Sequence, residues 1–394
     1  MVIKTLNRNL EKVRSLNPID AFNEDVINFF ARLSRKILSS SVSKEYPDLA
    51  SFGFFCRKRN LEKLKNDYQQ EKNILIGRGL VVHFTPSNVP LNFAYSLVAA
   101  SLAGNHSIIR LSSTRFEQAD VFIRLLNDNF KDQKNKLPKE SINIVRYEKN
   151  DDITAEITSW ADVRVIWGSD TTIDKLRESH LPARAYDITF ANRFSFCVVD
   201  AEYYCNLNLD EKLASDFYND TLFYDQNACT SPRLIYWLGK EEFVEKAKRR
   251  FWEAYSREIE RRGYLNRGNL SIDKLMTAFK AANLLDAKLH ELGGEITRIS
   301  LKSIPEIISD YSVPGGLFLE IQSEDLEMLK AYSSKKLQTI TYIAESNNLI
   351  KVGLDNLKLC GIERVVKNGQ ASNFELVWDG YDLITSMCKT VALR

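Results

Sequence analysis

Residues 225 to 234 read DQNACTSPRL, a short polar turn with Cys229 at its centre. A buried structural cysteine ordinarily sits inside an apolar run, and this one does not. A thiol is a strong nucleophile once ionised, and a polar turn lined by amides favours the ionised form. The plain alternative is a half-buried free cysteine behaving as a small hydrophobe. No Cys/His/Asn protease pattern surrounds it.

Three other stretches carry groups suited to meeting charge. In TPSNVPLNF, residues 85 to 93, Pro86 and Pro90 stiffen the backbone on either side of Asn88. An amide NH2 held at the C-terminal end of a strand can donate to an oxyanion. The same side chain could equally cap the helix that starts near Pro90–Leu91. GNHSIIRLSS, residues 104 to 113, ends a strand with Arg110, Ser112 and Ser113, a set that suits a ribose or a phosphate; a solvated loop arginine is the alternative. IWGSDTTIDKL, residues 166 to 176, puts Gly168 and Ser169 where a strand meets a helix N-terminus. Such a terminus suits a pyrophosphate, and ordinary capping uses the same residues. The chain has no G-x-G-x-x-G, so the usual dinucleotide fingerprint is missing.

The elements that must position these groups are legible in outline. The first 70 residues predict helices, with AFNEDVINFFARLSRKIL apolar at helical spacing and LEKLKNDYQQEK charged and exposed. From Gly79 onward, strand-like GLVVHF, HSIIRL, SINIVRY and ADVRVIW alternate with helical runs. That alternation predicts an α/β domain with a parallel sheet and crossover helices, to which RFSFCVVD adds one more strand. A second unit opens with a helix near LDEKLASDFYNDTLF, followed by the cysteine turn, the strand RLIYWL and two long charged helices near 240–262 and 271–290. EITRIS, GGLFLEI, LQTITYI and IERVV are its further strand candidates. The expected division is 1–204 for the N-terminal helices and nucleotide-binding-like domain, 205–370 for the cysteine-bearing domain, and 371–394 for a C-terminal tail.

Composition narrows the function classes. The 394 residues carry 54 Lys and Arg against 52 Asp and Glu, so no whole-protein field attracts nucleic acid or an anionic membrane surface. At 44% hydrophobic and 27% charged, the chain can bury two cores without staples. MVIKTLNRNLEKVRSLNP lacks the apolar core of a signal peptide, and LNFAYSLVAASLAG, residues 91 to 104, is too short to span a membrane. Six scattered cysteines without a CxxC pair, and histidines at 83, 106, 180 and 290 without ligand spacing, suggest neither a disulfide framework nor a metal site. A reducing cytoplasm is the expected compartment.

The order of the fragments resembles the aldehyde dehydrogenase superfamily. PSNVP resembles its P-W-N-[FY]-P motif, AASLAGNHSIIRLSS its ALAAGNTVVLKPSE segment, WGSD its T-G-S turn, and DQNAC its catalytic-cysteine segment. More closely, GRGLVVHFTPSNVPLNF, DQNACTSPRL and the tail GIERVVKNGQASNFELVWDGYDLI resemble the lux-type fatty acyl-CoA reductase family, an outlying branch of that superfamily. The resemblance runs from Gly77 to the C-terminus. It implies a Rossmann-like cofactor domain plus a second α/β catalytic domain. It places Cys229 at the nucleophile position and Asn88 at the oxyanion-hole asparagine, working with the Cys229 backbone N–H. Arg110 matches the lysine that holds the adenosine ribose, and Gly168 and Ser169 match the turn beside the pyrophosphate. Ser113, next to Ser112, falls where NAD-preferring relatives carry a ribose-binding glutamate. Without that carboxylate a 2′-phosphate meets no repulsion and Arg110 offers it a charge, so NADPH is expected in preference to NADH.

One departure is informative. Acid-forming relatives carry E-L-G-G-K before the nucleophile, with the glutamate activating water. Here the corresponding stretch is TFANRFSF, residues 189 to 196, with Thr189 at the glutamate position and Asp187 the nearest carboxylate in sequence. A thioester on Cys229 should then resist hydrolysis, the logic of an enzyme that reduces an activated acyl group to an aldehyde. The donor is left open between acyl-CoA, an acyl-adenylate and an acyl group handed over by an acyl-protein synthetase. A cysteine-dependent acyltransferase or relay, and a non-catalytic scaffold, are the competing readings. The aromatic stretches 216–224 and 315–321 could line an acyl slot or be core, and Trp378, Asp379 and Tyr381 could border the site or form a structural corner. The superfamily's oligomerisation hairpin should precede the Asn88 motif, where LEKLKNDYQQEKNILIGRGL is short and helix-like. A homo-oligomer is left open.

Overall fold

The computed structural model describes residues 4–5, 10–69, 74–265, 268–291, 294–332, 334–347, 351, 355 and 359–392. Residues 70–73, inside the segment expected to replace the oligomerisation hairpin, lie outside them. The chain divides into one unit made of residues 1–191 and 374–394 and a second of residues 192–373.

The first unit is built on a six-stranded sheet. Its strands are β1 (Lys4–Thr5), β3 (Leu80–Phe84), β4 (His106–Arg110), β5 (Ile142–Arg146), β6 (Val163–Trp167) and β7 (Tyr186–Phe190), while β2 (Ile74–Gly77) lies outside it. The order is β1-β5-β4-β3-β6-β7, all parallel except β1. Chain order runs outward from β3 through β4 to β5, then returns to the other side of β3 with β6 and β7. This is the doubly wound arrangement whose switch point, here between β3 and β6, opens a crevice at the strands' C-terminal ends. The strands read as near-continuous apolar runs because helices cover both faces. The helix Asn92–Leu102 is buried along almost its whole length. The helix Glu24–Ser39 is capped by Asn23, whose side chain accepts the Asp25 N–H, and it buries Ile27, Phe29, Phe30, Leu33 and Ile37 in the same core.

The second unit holds seven strands: β8 (Phe194–Asp200), β9 (Pro232–Leu238), β10 (Ala287–Glu291), β11 (Thr297–Leu301), β12 (Leu317–Ser323), β13 (Leu337–Ile343) and β14 (Arg364–Lys367). Their order is β10-β11-β12-β9-β8-β13-β14, parallel except for β10. Side chains alternate across the sheet: Phe194, Phe196 and Val198 enter one core, and Cys197 and Val199 the other.

Two expectations change. The sequence places RFSFCVVD in the first domain, yet β8 pairs with β9 and β13 in the second sheet. An apolar run of this kind fits any buried parallel strand, so its pattern could not say which sheet would take it. The helix expected over 271–290 ends at Leu284, and 287–291 is an edge strand on β11.

The tail belongs to the first unit. Its strands β15 (Val377–Trp378) and β16 (Tyr381–Asp382) form a hairpin whose two loop residues, Asp379 and Gly380, have φ of 53° and 79°. Asp-Gly is the sequence that two-residue turns with two positive φ values favour. β17 (Cys388–Val391) then pairs antiparallel with β2.

Candidate active site

Cys229 occupies a turn at the N-terminal edge of the second sheet. Asp225 and Gln226 both have left-handed backbones, with φ of 51° and 56°, which is costly for residues other than glycine. The surroundings hold them there. Gln226 is fully buried; its Nε2 donates to Pro232 O and Leu317 O, and its Oε1 accepts the Gly316 N–H at 2.7 Å. The Gly315 N–H donates to Asp225 O at 2.9 Å. Beyond this corner the Ser231 N–H closes on Ala228 O at 3.0 Å, so Cys229 and Thr230 are the central residues of a tight turn. Ser195 Oγ at the start of β8 donates to Cys229 O at 2.8 Å and accepts the Thr339 N–H from β13. The thiol's backbone is thus tied to the first residues of β8, β9, β12 and β13.

Cys229 is half-buried, which separates it from the deeply buried thiols. Burial pushes Cys56 well up, and lifts Cys197 and Cys388 to about 12, so those three stay protonated near neutrality.

The remaining sequence-predicted residues gather at the C-terminal edge of the first sheet. Asn88 lies exposed in the loop after β3, Arg110 is the last residue of β4, and Gly168–Ser169 follow β6. These three strands are neighbours. The Thr85 N–H and Oγ1 both donate to Arg110 O, binding the Asn88 loop to the end of β4. The helix after the loop has Leu91 at its N-cap position, whose side chain makes no capping hydrogen bond. The Arg110 guanidinium stands 5.4 Å from the Tyr147 ring centre, Ser112 Oγ donates to Thr114 O, and Ser113 is exposed. Ser169 caps the helix Asp170–Arg177 by accepting the Thr172 N–H, and its hydroxyl meets those of Thr171 and Thr172 at 2.9 Å. A Cβ on Gly168 would press on Thr172 Cβ at 3.1 Å, so a larger residue there needs Thr172 to give way by a few tenths of an ångström.

A family model described as Acyl-CoA reductase (LuxC) matches residues 4–265. The chain belongs to this family. Among curated proteins it is 34% identical over 166 residues to long-chain acyl-protein thioester reductase 2 of Photobacterium leiognathi, covering 41% of this chain and 32% of that one. With long-chain acyl-protein thioester reductase of Aliivibrio fischeri it shares 24% identity over 310 residues, covering 76% of this chain and 60% of that one. The chain therefore spans from a third to three fifths of the length of these relatives. Among solved structures, a lactaldehyde dehydrogenase superposes with a TM-score of 0.69 at 12% identity, covering 98% of this chain and 88% of that one. The fold is that of the aldehyde dehydrogenases.

Within this LuxC-family chain the region expected to lack a hydrolytic base has a definite structure. Thr189 lies on β7. Asp187, the nearest carboxylate in sequence, is clamped by the buried Arg164 at 2.7 and 3.0 Å and by Arg177 at 3.2 Å, so both its oxygens are engaged. Both aromatic stretches are core: Phe217, Tyr218, Leu222 and Phe318 pack on one face of the second sheet, and Leu317, Leu319 and Ile321 on the other. Trp378 packs on Phe374, and Tyr381 on Phe190, in the first unit.

Sequence reasoning missed the brace around the thiol, namely Gln226, Ser195 and Arg233. Nothing in their types marks them, because their roles come from strands distant in sequence. Among the described residues no cluster could hold a metal ion, and no helix is long and apolar enough to cross a membrane.

Proposed function

We propose that this protein reduces an activated long-chain acyl thioester to the aldehyde with NADPH, through an acyl thioester on Cys229. The observation that carries the reading is the braced, half-buried Cys229 turn in a chain of the acyl-CoA reductase family. The relatives are named for acyl-protein thioesters and the family for acyl-CoA, so the common chemistry is a thioester carbonyl.

The first-unit loops fit a phosphorylated dinucleotide. Ser169 and the N-terminus of the helix Asp170–Arg177 offer hydroxyls and N–H groups to a pyrophosphate. Arg110 with Ser112 and Ser113 would take the ribose end, and the exposed Ser113 leaves room for a 2′-phosphate. When bound, the reduced nicotinamide supplies hydride.

The protein's own residues would do the rest. The Cys229 thiolate uses a sulfur lone pair to form a bond to the thioester carbonyl carbon. The carbonyl π pair moves to oxygen, where Asn88 and the Cys229 N–H would donate to it. The oxyanion collapses, and the donor's thiolate leaves with the C–S pair and takes a proton from water. The acyl group now sits on Cys229. Asp187, held by two arginines, is unsuited to activating water against it. After reduction, the same sulfur leaves with its bonding pair as the aldehyde forms. A cytoplasmic location and handover from an acyl-protein synthetase fit this chemistry.

The test is a panel of acyl-CoA and acyl-protein thioesters with NADPH and with NADH. The expected result is thioester-dependent loss of NADPH absorbance with one aldehyde formed per cofactor oxidised. Acyl transfer to a thiol without cofactor consumption would make the protein a transferase instead.

A further inference from the structure

β9 starts irregularly. Pro232 is opposite Ser195 and Leu234 is opposite Phe196, so Arg233 is an extra residue on its strand, without a partner on β8. A bulge of this kind re-aims a side chain, and bulges concentrate beside active sites. Here the Arg233 side chain turns back to the corner before the thiol, where Nη2 donates to Gln226 O at 2.9 Å. The guanidinium carries a charge that must be offset when taken from water. Among the described residues it makes no ion pair with a carboxylate, and burial pulls its pKa below the usual value. The ionisable group that opposes this pull is Cys229.

Among the described residues, the groups that the neighbouring strands bond to the turn are uncharged. β8 presents Ser195, β13 presents Thr339 and β12 presents Leu317 behind Gly316. The charged residues at these strand starts are Arg193, paired with Glu363, and Lys336. Asp225, one residue before Gln226, is the carboxylate of the turn itself.

The geometry points to Arg233 as the built-in counter-charge of the Cys229 thiolate, a positioning residue placed by the β9 bulge and fixed by Gln226 O. The inference rests on the reading of Cys229 as the nucleophile. A guanidinium there favours the anionic sulfur twice, before it attacks and when it leaves as aldehyde forms. It needs no histidine partner.

The experiment is the pH profile of iodoacetamide alkylation at Cys229, followed by peptide mass spectrometry, in the wild type, Arg233→Gln and Arg233→Lys. Arg233→Gln keeps an N–H donor for Gln226 O and removes the charge, and its midpoint is expected to rise by about 1–3 units. Arg233→Lys keeps the charge and should stay near the wild type. An unchanged profile in Arg233→Gln, or a lysine variant that behaves like the glutamine one, overturns the proposal. If Arg233→Gln fails to fold, the wild type itself decides. Its Cys229 midpoint should lie at least about one unit below the ~8.5 of an ordinary thiol, and a midpoint at or above that value overturns the proposal. Acyl loading of the wild type separates the two readings: no acyl group on Cys229 at any pH refutes the nucleophile, whereas loading with an arginine-independent profile refutes only the counter-charge.

Discussion

Asn88 and Ser113 are single side chains whose proposed work can be removed without disturbing a core, since both are exposed. Asn88→Ala should slow aldehyde formation by about 100- to 1000-fold, the usual loss for one oxyanion donor, with KM little changed. Steady-state kinetics on the preferred thioester measure it; a loss confined to KM would assign Asn88 to substrate binding. Ser113→Glu should lower kcat/KM for NADPH at least about tenfold and raise that for NADH, because a carboxylate repels a 2′-phosphate and accepts from ribose hydroxyls. At this scale the sequence offers its candidates by residue type. A cysteine in a polar turn, an asparagine between prolines and a serine after Arg110 announce themselves by type. Arg233 does not, because an arginine at a strand start is ordinary until the bulge shows where it points.

At the scale of elements, the thiol turn depends on strands far away in sequence. Gln226 bonds to Pro232, Gly316 and Leu317, so Gln226→Ala leaves buried backbone groups without partners. The expected cost is about 2–3 kcal/mol of stability, read by denaturant unfolding of the second unit, with activity per folded molecule also reduced. A cost below about 0.5 kcal/mol would mean that the turn holds itself. The strand-helix alternation of the first sheet was legible from its apolar runs, as was the Asp-Gly hairpin of the tail from turn chemistry. The sheet to which β8 belongs was not. Strand pairing is a long-range choice, and both sheets accept a run of Phe, Cys and Val.

The whole molecule carries pH dependences of opposite sign, shown by one buried group in each of its units. In the first, burial lowers the pKa of His83 to about 3, and its ring is held between the hydroxyls of Ser96 and Ser107. The unfolded chain takes up that proton below about pH 6.5, so acid erodes stability from there down to about 3. In the second unit, burial raises the pKa of Asp220 to about 7 against the N–H groups of Gly369 and Ala371, with Asp216 raising it further and Arg364 lowering it. The folded state holds that proton where the unfolded chain has lost it, so this contribution is present in acid and lost as pH rises to about 7. Asp220→Asn should therefore lose more melting temperature than the wild type on going from about pH 8 to about pH 5, since the opposing gain is gone. Parallel profiles would show that Asp220 does not titrate in this range. The proposed chemistry turns on one atom, the sulfur of Cys229, and the most direct measurement is of that atom alone. The wild type is mixed with a long-chain acyl thioester in the absence of any reductant and its mass taken intact and after proteolysis. One acyl group per chain is expected, on Cys229, stable until NADPH releases it as aldehyde and absent in Cys229→Ala. An acyl group carried equally well by Cys229→Ala, or aldehyde made by that variant, would contradict that expectation.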